Sequence, residues 1–132
     1  MWQRPIYDRT LYDVQIKNSK AYINTADLNR IETNMQHLAD VLHCSIDSKN
    51  WSDGEFVFNS DMERLRLNLQ VLEEAYFVTR KSPKIPTVPF VIYSQWNDIE
   101  KILYDIYSLF FANKAAVSFC GEMYLGSQIG VI

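Results

Sequence analysis

The stretch Thr25–Leu42, TADLNRIETNMQHLADVL, decides how the chain is built, because the sequence writes it three times. With Asp27, Asp61 and Asp98 aligned, the copies read DLNRIETNMQHL, DMERLRLNLQVL and DIEKILYDIYSL. In each copy an apolar residue follows the acid directly and a base comes three residues after it. Asn or Asp stands seven residues on (Asn34, Asn68, Asp105) and Leu eleven on (Leu38, Leu72, Leu109). The apolar positions are Leu28, Ile31, Met35, Leu38 and Leu42; then Met62, Leu65, Leu69, Leu72 and Tyr76; then Ile99, Ile102, Ile106 and Leu109. Steps of three and four put each set on one stripe of an α-helix. A helix this short is marginal alone in water, so each stripe must be buried, and three such stripes can bury one another.

The repeats predict helices over residues 25–43, 60–81 and 96–113. Asp27 falls in the first turn of the first helix, where a negative charge suits the dipole. Ser60 with Glu63, and Asn97 with Glu100, have the spacing of capping boxes for the second and third. Residues 1–24 lack a helical period and read as an extended arm with a turn near Asp8–Asp13. Residues 44–59 are rich in turn formers, with Asp53-Gly54 the clearest signal. Between Pro83 and Pro89 three prolines fall in seven residues, an extended segment longer than the usual helix–helix loop. It carries Ile85, Val88, Phe90 and Ile92, so it should pack across the helices. The Gly-punctuated, β-branched residues 117–132 read as a short β hairpin. The expected fold is mainly α and a single domain: three repeated amphipathic helices in a bundle, an extended N-terminal arm and a short C-terminal β tail.

The 132 residues suffice for one core, and 48% of them are apolar. A net charge of −3 with scattered signs gives no basic stripe and argues against a nucleic-acid partner. No apolar run approaches the roughly 18 residues of a membrane span, so no membrane insertion is expected. The N-terminus, MWQRPIYDRT, lacks the apolar core of a secretory leader, which predicts synthesis and folding in a cytoplasm. Eight Tyr, seven Phe and three Trp promise large contact areas, in a core or at an interface.

The order DRTLYDV, KAYINTADLNRIETNMQHLADVL, NWSD and NSDMERLRLNLQVLEEAYF, followed by a Pro-rich link, WNDIEKILYDIYSL and FCGEMYLG, resembles a family of phage proteins. These are minor virion structural proteins, tail- or baseplate-associated, of phages and prophages of Gram-positive bacteria. The likeness runs from about Asp8 to Gly126, most specifically in DLNRIE-x-N at Asp27–Asn34 and NDIEKIL at Asn97–Leu103. It carries no catalytic residues. It implies a protein made in the host cytoplasm and carried in the virion, with other phage structural proteins as partners.

Asp27, Arg30, Asn34 and His37 form a polar row beside the stripe of the first helix; Asp61, Arg64, Asn68 and Asp98, Lys101, Asp105 repeat it. The row is either a shared binding surface or, as the reading preferred here, a structural one: acid–base pairs supporting each helix, with Asn bridging to a neighbour. His37, Asp40 and Cys44 share a helical face, but no fourth ligand stands at a recognised metal spacing. The two cysteines give no disulfide framework. Two histidines, no Gly-x-Ser-x-Gly elbow and no Gly-rich phosphate loop leave no catalytic constellation and no cofactor site. Trp51 beside Asp53, with Phe119 and Tyr124, could stack on sugar rings, the basis of an alternative reading as a host-surface or saccharide-binding module. The third helix has a second apolar row, Tyr104, Tyr107 and Phe111. A helix apolar on two sides is either central or covered by another chain. With Phe119 and Tyr124 this row is the expected interface of a homo-oligomer, the arm and the Pro-rich link being the alternative cover.

Overall fold

In a computed structural model of the chain, residues 2–17, 23–76 and 82–124 are described, with side chains as far as residue 112. The elements are α1 (Leu11–Ile16), α2 (Thr25–Leu42), α3 (Asn59–Ala75) and α4 (Tyr93–Tyr124), with no strand among the described residues. Each of α2, α3 and α4 packs on the other two. Ile31, Leu65 and Ile102, which share one register of the repeats, are all fully buried, as are Met35, Leu38, Leu69, Leu72 and Ile106. The three stripes do form one core. Trp51, Phe90 and Trp96 complete it from outside the repeats' shared stripe.

The three long helices are parallel. Arg30, early in α2, bonds Glu100, early in α4; Arg64, early in α3, bonds Glu32 in α2. At the other end, the Tyr76 hydroxyl at the end of α3 donates to the Leu109 carbonyl far along α4. Parallel neighbours force the chain to return the whole length of the bundle between helices. The 18 residues of α2 rise about 27 Å, which roughly eight extended residues can span. This is why the links are long. Residues 44–58 run back down α2, passing Gln36 (from Ser48), Glu32 (from Lys49) and Asn29 (from Trp51) in turn. The Pro-rich link runs from Ser82, bonded to Asp105 in α4, to Phe90, whose N–H donates to Met62 Sδ at the start of α3 (3.1 Å). The arm takes the same downward course, from Trp2 near His37 to Arg9 near Asn97. The molecule is therefore three units of one pattern, an extended segment going down and a helix coming up.

Several local expectations change. The turn near Asp8–Asp13 is α1, started by a capping box between Thr10 and Asp13. Asn24 and Asp27 form the same box on α2. On α3 the expected Ser60–Glu63 box does not form. The helix starts before Ser60, at Asn59, and the Asp61 carboxylate accepts from the Phe58 N–H (3.0 Å), while Glu63 pairs with Arg66. In α4 Asn97 and Glu100 are not caps either, because the helix begins at Tyr93. Gln95 Oε1 accepts from the Val91 and Ile92 N–H groups instead. The β tail expected from residue 117 is helical over 117–124, where α4 runs on through a stretch with no proline. Residues 125–132 lie outside the described ones. The second helix, expected to reach residue 81, ends at Ala75, and 77–81 are also outside the description.

Candidate functional site: the groove that holds the arm

A carboxamide carries a donor and an acceptor side by side, as a peptide group does, so an Asn side chain can pair with both backbone groups of one residue. Among the described residues that device is used four times. Asn34 Oδ1 accepts from the Gln3 N–H (2.7 Å) and its Nδ2 donates to the Gln3 carbonyl (2.8 Å). Asn97 does the same to Arg9 (3.2 and 2.8 Å). Asn29 holds Trp51 (2.8 and 3.0 Å) and Asn68 holds Asp47 (3.2 and 2.8 Å). Extended segments that lack a β partner thus have part of their backbone satisfied by helix side chains, as a buried backbone requires. In the third unit the Asp105 carboxylate, of the same length but without a donor, accepts from the Ser82 hydroxyl. The residue seven after the acid therefore grips the extended segment that precedes its own helix in every unit.

Between α2 and α4 the arm meets a buried charge cluster. Arg30 is bidentate on Glu100 (Nε to Oε1 2.7 Å, Nη2 to Oε2 2.9 Å) and also donates to Asp27 Oδ1 (2.7 Å). Arg9, from the arm, donates to Glu100 Oε2 (2.8 Å), lies 3.7 Å from Asp27 and donates to the Ile6 carbonyl (2.8 Å). The Ile6 N–H closes on Glu100 Oε1 (3.1 Å). Two guanidinium groups balance two carboxylates. Without the arm, Glu100 and Asp27 would face Arg30 alone, leaving one buried negative charge uncompensated. Burial works against the charge on Arg30, but the bonds to Glu100 and Asp27 outweigh it and raise its pKa above the ordinary value. Only Arg9 Nε is buried with no hydrogen-bond partner among the described side-chain atoms.

A second cluster ties segment 44–58 between α2 and α3. Glu32 accepts from Arg64, from Trp51 Nε1 (2.8 Å) and from the Lys49 N–H (3.4 Å). Its bonds with Arg64 raise the Arg64 pKa against the opposing effect of burial. Lys101, the base of the third unit, pairs within its own helix, with Asp105 (2.7 Å). The polar rows of the first two units thus bond neighbouring elements, while in the third Lys101 pairs on its own helix and lies over the Tyr7 ring of the arm (5.2 Å) and Asp105 takes the Ser82 link. Asp61 serves the α3 start and lies 3.9 Å from Lys49; Asp98 is half-buried, and desolvation raises its pKa.

The expected interface row is partly covered by the chain's own arm. Trp2 stacks on Tyr107 (centroids 4.0 Å, planes 8° apart), with the His37 ring beside both. Tyr7 lies against Tyr104 (5.3 Å), while Tyr104 and Phe111 each stay 37% exposed. Phe119 and Tyr124 are outside the described side chains. Trp51, a candidate sugar platform, is 5% exposed with its indole N–H on Glu32. It cannot offer its face to a ligand while so buried. His37, Asp40 and Cys44 do not converge: His37 joins the aromatic pair, Asp40 accepts from Gln36 (2.8 Å), and burial raises the half-buried Cys44 thiol. Among the described residues no three His, Cys, Asp or Glu side chains group as metal ligands. No helix among the described residues is long and apolar enough to cross a membrane.

Sequence reasoning missed Arg9, Asn29 and Glu32, and read Asn97 and Glu100 only as a cap. Glu100 left a signal: it sits between Trp96 and Leu103 on an apolar side of its helix, where an unpaired acid would be costly. No known family model, curated protein or solved structure matches the chain.

Proposed function

We propose that this chain is a non-enzymatic structural protein of a phage particle, acting through protein–protein assembly in or near the tail or baseplate. One observation carries most of the reading. The polar side chains that a binding or catalytic site would use, above all Asp27, Arg30, Glu32, Asn34, Asn68 and Glu100, are engaged in holding the chain's own extended segments. Such a scaffold invests its chemistry in shape, and large exposed apolar side chains remain for contact with other proteins. The resemblance of Asp27–Asn34 and Asn97–Leu103 to minor virion proteins points the same way.

The test is composition of the particle. Phage particles induced from a host carrying this reading frame, purified by density gradient, should contain the chain by mass spectrometry. Gold-labelled antibodies should mark the tail or its end. Absence from intact particles, with the chain abundant in the lysate, would refute the proposal.

A further inference from the structure

Seven large hydrophobic side chains are at least half exposed among the described residues, from Ile16 at 50% to Phe56 at 76%. All seven lie where an extended segment turns up into a helix. Leu11, Tyr12 and Ile16 are on α1, ahead of α2. Phe56 and Phe58 immediately precede α3, and Val91 and Ile92 immediately precede α4. Because α2, α3 and α4 are parallel, these three junctions share one end of the bundle. Among the described side chains, Leu67 and Phe111, away from these junctions, are less exposed.

Seven such side chains, half or more exposed, present on the order of 700–900 Å². Taken together that is comparable to the roughly 800 Å² each partner gives to a stable interface. Several of the charges near this end are already engaged. The helix-start acids Asp27 and Asp61 are engaged as caps, and Lys49 is paired with Glu55 at 3.0 Å. The face also repeats around the bundle axis, one apolar junction per unit, so a copy turned head-to-head sets junction against junction. An isologous contact sets one patch against its own copy in this way.

We infer that this end of the bundle is a self-association face, on which a second copy of the chain docks head-to-head through the junctions before α2, α3 and α4. The inference rests on the assembly reading and moves the principal contact away from the Tyr104–Phe111 row, which the arm partly covers.

Phe58→Asp and Ile92→Asp test it together, because each position directly precedes a helix, where Asp is a good cap, so the fold should survive. Size exclusion with light scattering at increasing micromolar concentrations should give the parent twice the 15.5 kDa chain mass. The double variant should weaken dimerisation about a hundred-fold or more, with an unchanged circular dichroism spectrum. Leu67→Asp, on the flank of α3, should leave the dimer intact. A parent that stays monomeric overturns the inference, as does an oligomer that survives the double variant or dissociates with Leu67→Asp. Chain found in particles while the pure protein is monomeric would sink this face and leave the assembly reading standing. A dimer lost in the double variant, with no chain in particles, would do the reverse.

Discussion

The groove between α2 and α4 and the groove between α2 and α3 solve the same problem by different means. Each holds an extended segment through two Asn side chains, Asn34 and Asn97 in one, Asn29 and Asn68 in the other. Each adds a buried Glu bonded to an Arg. The α2–α3 groove lies between helices joined directly by the segment it holds, and the Arg64 side chain at its edge stays 16% exposed. The α2–α4 groove joins the first and last long helices, and there Glu100 is fully buried with Arg9 almost as deep. Where covalent connection gives no help, the chain uses more buried charge. Buried pairs contribute little net stability over an apolar core, but breaking one strands the other charge. Their use here is to fix which segment closes the ring.

The comparison breaks hardest at the arginines. Arg30→Ala leaves Glu100 and Asp27 facing Arg9 alone and should cost about 3–5 kcal/mol, the range for a broken buried pair. Arg64→Ala, at a partly exposed cluster, should lower stability measurably but less, and without changing the oligomeric state. Urea melts of both variants, fitted with a common slope, decide it. Equal losses would mean that burial of the α2–α4 cluster has no energetic consequence.

The core beneath both grooves should not distinguish them. Ile31→Ala, Leu65→Ala and Ile102→Ala should each cost about 2–5 kcal/mol, since each removes a fully buried aliphatic side chain. Thr33→Ala, on the outer side of α2, should change stability by no more than about 0.5 kcal/mol. If Leu65→Ala unfolds at the parent's urea midpoint, α3 is not part of the shared core.

Asn34→Ala and Asn68→Ala compare the two grips directly. Asn34→Ala strands both the N–H and the carbonyl of Gln3. Asn68→Ala strands only the Asp47 N–H, since Arg64 also donates to the Asp47 carbonyl (2.6 Å). Each loss should be about 1–3 kcal/mol, the first the larger. Hydrogen exchange should localise the damage, at the amide of Gln3 in the first variant and of Asp47 in the second. Protection unchanged at those amides would show that the Asn pairs are incidental.

The shared core was legible because Ile31, Leu65 and Ile102 recur in one register, and periodicity reports which face is buried. The length and apolar content of the Pro-rich link also told that it packs on the helices. What periodicity does not report is direction. Parallel and antiparallel helices have the same stripe, and only the length of 44–58 and of the Pro-rich link hinted at a return along the bundle. The caps at Ser60 and Asn97 failed for a related reason. Capping boxes are local patterns, and Asp61 offered an equivalent one two residues earlier, while Asn97 and Glu100 were taken by Arg9 and Ile6 from the far end of the chain. The second apolar row of α4 was visible, but its cover was not. Nothing local says that Trp2 stacks on Tyr107.

The smallest effect concerns pH, and only the arm side should feel it. Burial among Trp2 and Tyr107 lowers the His37 pKa below its ordinary value, and nearby Asp40 offsets this only in part. The unfolded chain then takes the proton more readily than the folded one. The fold should therefore lose stability as pH falls from about 6.5 through the lowered folded value. The half-buried Glu73 and Asp98 carboxyls act in the opposite sense. Desolvation raises their pKa, so their contribution is present in acid and lost as pH rises through the folded value. A difference measurement separates the two. The parent should lose more thermal stability between pH 7 and pH 5 than His37→Gln, which keeps a polar side chain but cannot titrate. Amides of the arm near Trp2 should lose protection over the same range, while those near Trp51, in the other groove, should not. Identical pH profiles for parent and variant would remove His37 from the arm's energetics and leave the stacked pair of Trp2 and Tyr107 to hold that end alone.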